Sequence, residues 1–229
     1  MQTPEKRYQQ EPNIMYVNVE IPELEKYQNG FPRYWLGLVF QNNAPKHYLP
    51  RALTTSYIRL VEGALRSYSS GREHVMYFWK GRDPAELPLS RLHAATVDYE
   101  TCLTCLHRAI LVMKRLRSRI DTPESYKRQV LKKPSFVSEL ISSRIRNVRD
   151  ATQHVEALLA DGTIPENTHF LLMADGIEVN HPTEPGQTIK TIDRLVVGSH
   201  TITFAELHNW LMEFGDYAEA ISTYDFNPA

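Results

Sequence analysis

Apolar residues recur along most of this chain at the three- and four-residue intervals of an α-helix. Leu53, Tyr57, Leu60, Val61, Ala64, Leu65 and Tyr68 form one stripe that Ser69-Ser70-Gly71 closes, so a helix is expected over about 51–68. A loop rich in Gly, Asp and Pro from Lys80 to Leu89 precedes a longer helix near 90–118. Its stripe is Leu92, Ala95, Tyr99, Leu103, Leu106, Ile110 and Met113. The last turn, Lys114-Arg115-Leu116-Arg117, sets cations at the negative end of the helix dipole. Asp121-Thr122-Pro123-Glu124 has the features of a fresh helix start. Ser135, after Pro134, opens another helix, expected over about 135–160.

The period changes to two at either end of this helical run. Residues 1–13 are polar, carry two prolines and are expected to be disordered. Met15, Val17, Val19 and Ile21 then alternate as a strand does, whereas residues 34–40 suit a strand or a helix equally. Beyond Gly162, apolar runs at 169–173 and 177–179 flank Ala174-Asp175-Gly176, and runs at 194–197 and 201–203 flank Gly198-Ser199. Asp-Gly and Gly-Ser supply the positive φ of two-residue hairpin turns, so two β-hairpins are expected. Thr203-x-x-Glu206 reads as a capping box opening a last helix to about Ser222, with Phe204, Leu207, Leu211, Phe214, Ala218 and Ile221 on one side. The expected fold is mainly α. A helical bundle occupies 51–229, with a small antiparallel β-hairpin insertion at about 165–204 before the last helix, after an N-terminal extension, 1–50, holding short strands.

Hydrophobic residues at 42% and charged residues at 23% are enough for a packed core and too mixed for a disordered chain. No apolar run approaches the ~18 residues that span a bilayer, and no leader-like segment opens the chain, so a cytoplasmic protein with no membrane partner is expected. Cys102 and Cys105 have metal-like spacing within a helical stripe. No second pair completes a zinc site, and haem attachment needs a histidine directly after the second cysteine, whereas His107 stands one place further. Two small buried residues, with no metal and no cofactor, are expected. The absence of a phosphate-cradling glycine loop, a nucleophile elbow or a dinucleotide fingerprint argues against an ATPase, a hydrolase or a dehydrogenase.

Charge distribution alters this bland picture. The net charge is −1, yet residues 114–149 carry eleven Lys or Arg against three acids, making that segment +8 and the remainder −9. A basic face of this kind suits a nucleic acid, although it is also how a solvated surface looks.

Within the basic segment, the 135–160 helix has an apolar seam of Ile141, Ile145, Val148, Thr152, Val155 and Leu159. Arg146, Asp150 and His154 follow at four-residue steps on the opposite ridge, where Asp150 can orient the His154 imidazole and Arg146 can compete for the same carboxylate. Arg149 and Gln153 lie beside it. The run Arg149-Asp150-Ala151-Thr152-Gln153-His154 resembles the R-x4–6-H motif of the HEPN superfamily, in which the residue after the arginine is commonly Asn, Asp or His. The resemblance covers about residues 50–160. A second match, Arg194 to His200, spans a predicted hairpin turn.

This resemblance implies a metal-independent endoribonuclease used as a toxin or a phage-defence effector, with an antitoxin or regulatory protein as a partner. It implies that Arg149 stabilises the phosphorane, that His154 acts as acid or base and that Asp150 orients the imidazole. The basic and polar side chains of Arg144, Arg146, Gln153, Lys132 and Lys133 would then bind RNA. Five residues of helix give about 7.5 Å of rise and about 140° of rotation, so Arg149 and His154 of one chain point apart. A homodimer whose helices share one cleft is therefore expected. Two other readings stay open: a non-catalytic dimeric module that binds a protein or nucleic acid through the same surface, and recognition through the edges of the β insertion.

Overall fold

The computed structural model describes residues 15–80, 88–154, 160–162 and 171–227. Its elements are β1 (Met15–Val19), α1 (Pro32–Phe40), α2 (Tyr48–Lys80), α3 (Leu89–Ser118) and α4 (Glu124–Gln129). A 3₁₀ turn (Ser135–Val137), α5 (Glu139–Gln153), β2 (Met173–Asn180), β3 (Thr188–Val197), β4 (His200–Thr203) and α6 (Phe204–Thr223) follow. The described residues are thus mainly helical, with one small mixed sheet. The expected disorder at 1–13 and most of the expected loop between Lys80 and Leu89 lie outside the described residues.

α2 and α3 form the spine, and their close approach depends on small residues. A Cβ on Gly63 would stand 3.2 Å from the Cys105 sulfur, and one on Gly71 would stand 3.0–3.1 Å from three ring carbons of Tyr99. Gly71 therefore does not end α2 as its sequence neighbourhood suggests. It admits the buried Tyr99 ring, and the stripe continues through buried Val75 and Phe78 to Lys80. Residues 34–40 resolve as helix, with Pro32 in the first turn of α1.

The sheet also departs from two antiparallel hairpins. β2 runs unbroken through Asp175-Gly176, where the register with β3 shifts in a bulge. A Cβ on Gly176 would fall 1.5 Å from the Thr191 carbonyl oxygen, so this glycine permits close strand approach and makes no turn. The chain reverses later, between Asn180 and Thr188, where the His181 amide donates to the Gln187 carbonyl at 2.8 Å and Gly186 has φ +80°. Gly198, φ +55°, makes the second expected turn between β3 and β4.

β2 flanks β3 along one edge, while β1 and then β4 share the other. The β1 pairing is parallel, from Met15 opposite Thr188 to Val19 opposite Ile192, which makes the sheet mixed and ties the start of the chain to the segment before the last helix. Residues 20–47 also join the bundle core. Ile21, Leu24, Phe31 and Tyr34 are buried in the same cluster as α2, α3 and α6, and the Glu62 carboxylate accepts from the Phe31 amide and the Trp35 indole.

α6 begins as its capping box requires: the Glu206 amide donates to Thr203 Oγ1 at 3.2 Å, and the Thr203 amide to Glu206 Oε2 at 3.1 Å. Its six apolar stripe residues are all buried, and Phe136 stacks on Phe214 with ring centroids 3.8 Å apart.

Candidate functional site

α5 carries the motif, packed between α3 and the β3–β4 hairpin. Buried Ile145 and Val148 hold it there, with Ile141 against the same core. The expected single helix over 135–160 is broken at both ends. The Ser135 amide and hydroxyl both donate to the Glu213 carboxylate, which fixes a separate 3₁₀ turn, and extended Ser138 then caps α5. At the other end the helix stops at Gln153, and His154 is its C-cap with φ −99° and ψ 1°. The Thr152 hydroxyl donates to the Arg149 carbonyl at 2.6 Å, offering the last turn a side-chain partner in competition with further helix. Val155 and Leu159 of the expected seam lie outside the described residues.

This ending changes how the motif residues meet. Arg149 Nη1 donates to Asp150 Oδ1 at 2.6 Å, so the Asp150 carboxylate grips the arginine rather than the imidazole. Asp150 reaches His154 only through the main chain, its carbonyl accepting the His154 amide at 3.0 Å. Gln153 and His154 are exposed. Arg146 turns back to Glu139 at 3.3 Å and stays exposed. Arg144 forks onto the Glu206 carboxylate, reaches the Thr201 carbonyl at 3.3 Å and lies over the Trp210 ring, which makes it a clasp between α5 and the cap of α6. Lys132 and Lys133 are exposed on a shallow hollow of about 320 Å³, shared with Arg117, Lys127, Arg128 and Glu124. Tyr126 and Phe136, aromatic residues within the basic segment, are fully buried.

The structure adds a histidine that the motif did not single out. Lys114 of α3 donates to Ser142 Oγ of α5 at 3.4 Å. His107 lies seven residues before Lys114, and Arg149 seven residues after Ser142. Seven residues are two helical turns, so an antiparallel pair in this register sets His107 beside Arg149. The electrostatics of His107 agree. Burial holds its imidazole below the ordinary histidine value, and the Arg149 cation lowers it further; Arg146 and Lys114 act in the same direction, and Asp150 opposes them. The Arg149 Nε is buried and has no hydrogen-bond partner among the described residues. Each half of this juxtaposition has a visible heptad spacing in the sequence, but nothing there shows that α3 and α5 are neighbours or in what register.

The facing stretches of α3 and α5 thus gather a guanidinium, a second arginine, an ammonium, an imidazole held below its ordinary value and one carboxylate. Such a set can bind a phosphodiester and move a proton beside it. The other motif match gathers nothing comparable, because Arg194 is forked onto its own neighbour Asp193. Burial raises the thiols of Cys102 and Cys105 above the ordinary cysteine value, which suits packing and not reactivity. Among the described residues no group of His, Cys, Asp or Glu has the arrangement of a metal site, and no helix is long and apolar enough to cross a membrane. No family model, curated protein or solved structure matches this chain.

Proposed function

We propose that this protein is a metal-independent endoribonuclease of HEPN type, acting as a homodimer with Arg149 and His154 as catalytic residues. The observation that carries this reading is Arg149 standing close enough to His107 of α3 to act on it, hydrogen-bonded to the Asp150 carboxylate and five residues before an exposed histidine at the end of the helix. Strand cleavage by the RNA's own 2′-hydroxyl requires a base at that hydroxyl, charge stabilisation on the phosphorane and an acid at the departing 5′-oxygen. Arg149 supplies the charge. His154 faces solvent, where a second protomer can receive it, and Lys132, Lys133, Arg146 and Gln153 are exposed to guide the RNA backbone. The cellular role we assign, that of a toxin or phage-defence effector restrained by a partner protein, rests on the motif resemblance alone.

One observation favours a second reading. The Arg149 guanidinium already has a carboxylate partner and Arg144 is fully engaged by Glu206, as expected of a stable surface that binds RNA or a protein without cutting. The two readings separate on incubation of the protein with total RNA and transfer RNA in excess EDTA, beside folded Arg149→Ala and His154→Ala variants. Cleavage by the parent alone, leaving cyclic phosphate ends, is the expected result. Retention of RNA by the parent with no cleavage on any substrate would establish the binding module instead.

A further inference from the structure

We propose that His107 of the same chain is the general base of this site, taking the proton of the attacking 2′-hydroxyl while Arg149 holds the phosphodiester where α3 and α5 meet. The inference rests on the nuclease reading and names the base which that reading leaves unassigned. It stands first on geometry. The Lys114–Ser142 hydrogen bond fixes the α3–α5 register, and two turns along each helix bring His107 and Arg149 together. His107 is half-buried on α3, partly open to solvent and close enough to α5 for Arg149, Asp150 and Arg146 to act on it. The Nε of Arg149 is buried without a hydrogen-bond partner, so this guanidinium keeps an unsatisfied donor beside the one that Asp150 engages.

The chemistry agrees with the placement. A base must be unprotonated when substrate arrives, and the charged groups bearing on His107, namely Arg149 and Arg146 from α5 and Lys114 from α3, all disfavour imidazolium, against Asp150 alone. In the step itself the 2′-oxygen forms a bond to phosphorus as its proton passes to the imidazole. The bond from phosphorus to the 5′-oxygen breaks, and that oxygen leaves with its electron pair and takes a proton from His154 of a second copy. The products are a 2′,3′-cyclic phosphate and a 5′-hydroxyl. Solvent then removes the proton from His107 and returns one to His154, so no other reactant is consumed. His154, exposed at the helix end, suits the acid's place at the departing oxygen, and the two histidines need not face each other within one chain.

The test compares parent, His107→Gln and His154→Gln on an RNA oligonucleotide and on the same oligonucleotide with sulfur in place of the bridging 5′-oxygen, a leaving group that needs no acid. Loss of a general base or acid lowers the rate by roughly 10²–10⁴-fold. His107→Gln is expected to lose that factor on both substrates, and His154→Gln only on the oxygen substrate. Free imidazole should restore part of the activity of His107→Ala, which it would not do for a residue needed only for packing. Parental rates for His107→Gln on both substrates, or recovery of that variant on the sulfur substrate alone, would overturn the assignment and leave the nuclease reading standing. A parent inert on both substrates would overturn the two together. Should the His107 variants fail to fold, the imidazole resonances of the unaltered parent decide: a 2′-deoxy oligonucleotide, which binds but cannot be cut, must shift that of His107, and an unmoved resonance refutes the proposal.

Discussion

The Arg149 guanidinium has the Asp150 carboxylate 2.6 Å away on its own helix and the His107 imidazole on the neighbouring one. The two charges act on the histidine in opposite senses, which gives a signed prediction. Arg149→Gln should move the His107 titration up and Asp150→Asn should move it down, measured by NMR; shifts of the same sign in both variants would refute the arrangement. Because the folded protein holds His107 below the ordinary value of 6.5, the neutral form favours folding. Its contribution is whole above that ordinary value and declines as pH falls through it toward the lower folded-state value. Urea midpoints compared between about pH 7.5 and about pH 5.5 should therefore fall further for the parent than for His107→Gln. Gly71 gives a second test at this scale. Gly→Ala inside a free helix gains roughly 0.5–1 kcal/mol, but here the added carbon meets the Tyr99 ring at 3.0–3.1 Å. Overpacking of this kind costs about 1–3 kcal/mol, so Gly71→Ala should lower the urea midpoint, and a raised midpoint would show that the ring can yield. The spacing of Arg149, Asp150 and His154 was visible in the sequence because all three stand within six residues. The Asp150–Arg149 grip was not, since a ridge of four-residue steps pairs Asp150 equally well with His154 until the helix is known to stop at Gln153.

Among the elements, those that bury a stripe at helical spacing were readable: α3 appears within a residue of its expected start, and the α6 capping box forms as its spacing requires. The errors came where a glycine had two physical uses. Gly71 and Gly176 read as terminators, yet both serve close approach, one to a ring and one to a strand, and only the partner element reveals which use applies. The parallel pairing of β1 with β3 was illegible for the same reason, because its partner lies more than 170 residues away. The α5–α6 junction shows what a cross-element clasp contributes. Glu206 serves both the Thr203 cap and the Arg144 fork, and the arginine, first among the causes, holds its carboxyl below the ordinary value of 4.5. That stabilisation is present above pH 4.5 and is lost as pH falls through the folded-state value. Thr203→Ala should cost about 0.5–2 kcal/mol in urea unfolding at neutral pH. In a double-mutant cycle, Arg144→Ala and Glu206→Gln should be less than additive, and strictly additive losses would remove the clasp from the account of why α5 sits where it does.

At the scale of the whole molecule, the proposed mechanism divides the site between two chains. His107 and Arg149 are brought together inside one protomer by the α3–α5 register, whereas His154 stands exposed beyond the last turn of α5, where the proposal has a second copy receive it. A site divided in this way is tested by mixing inactive variants. In a heterodimer of Arg149→Ala with His154→Ala, one site carries both lesions and the other carries neither. Random reassortment should then return about a quarter of parental activity, since about half the dimers are mixed and each has one intact site of two. A mixture of Arg149→Ala with His107→Gln should return nothing, because both residues belong to the same protomer's half and every site keeps one lesion. Rescue in the second mixture would place His107 and Arg149 on opposite chains, against the helix register. Failure of both mixtures, with each variant dimeric and folded, would confine the whole site to one chain and remove the need for a dimer in the chemistry. The mixing pattern thus reads the geometry of catalysis without a structure of the dimer, and it does so independently of how large any single rate loss proves to be.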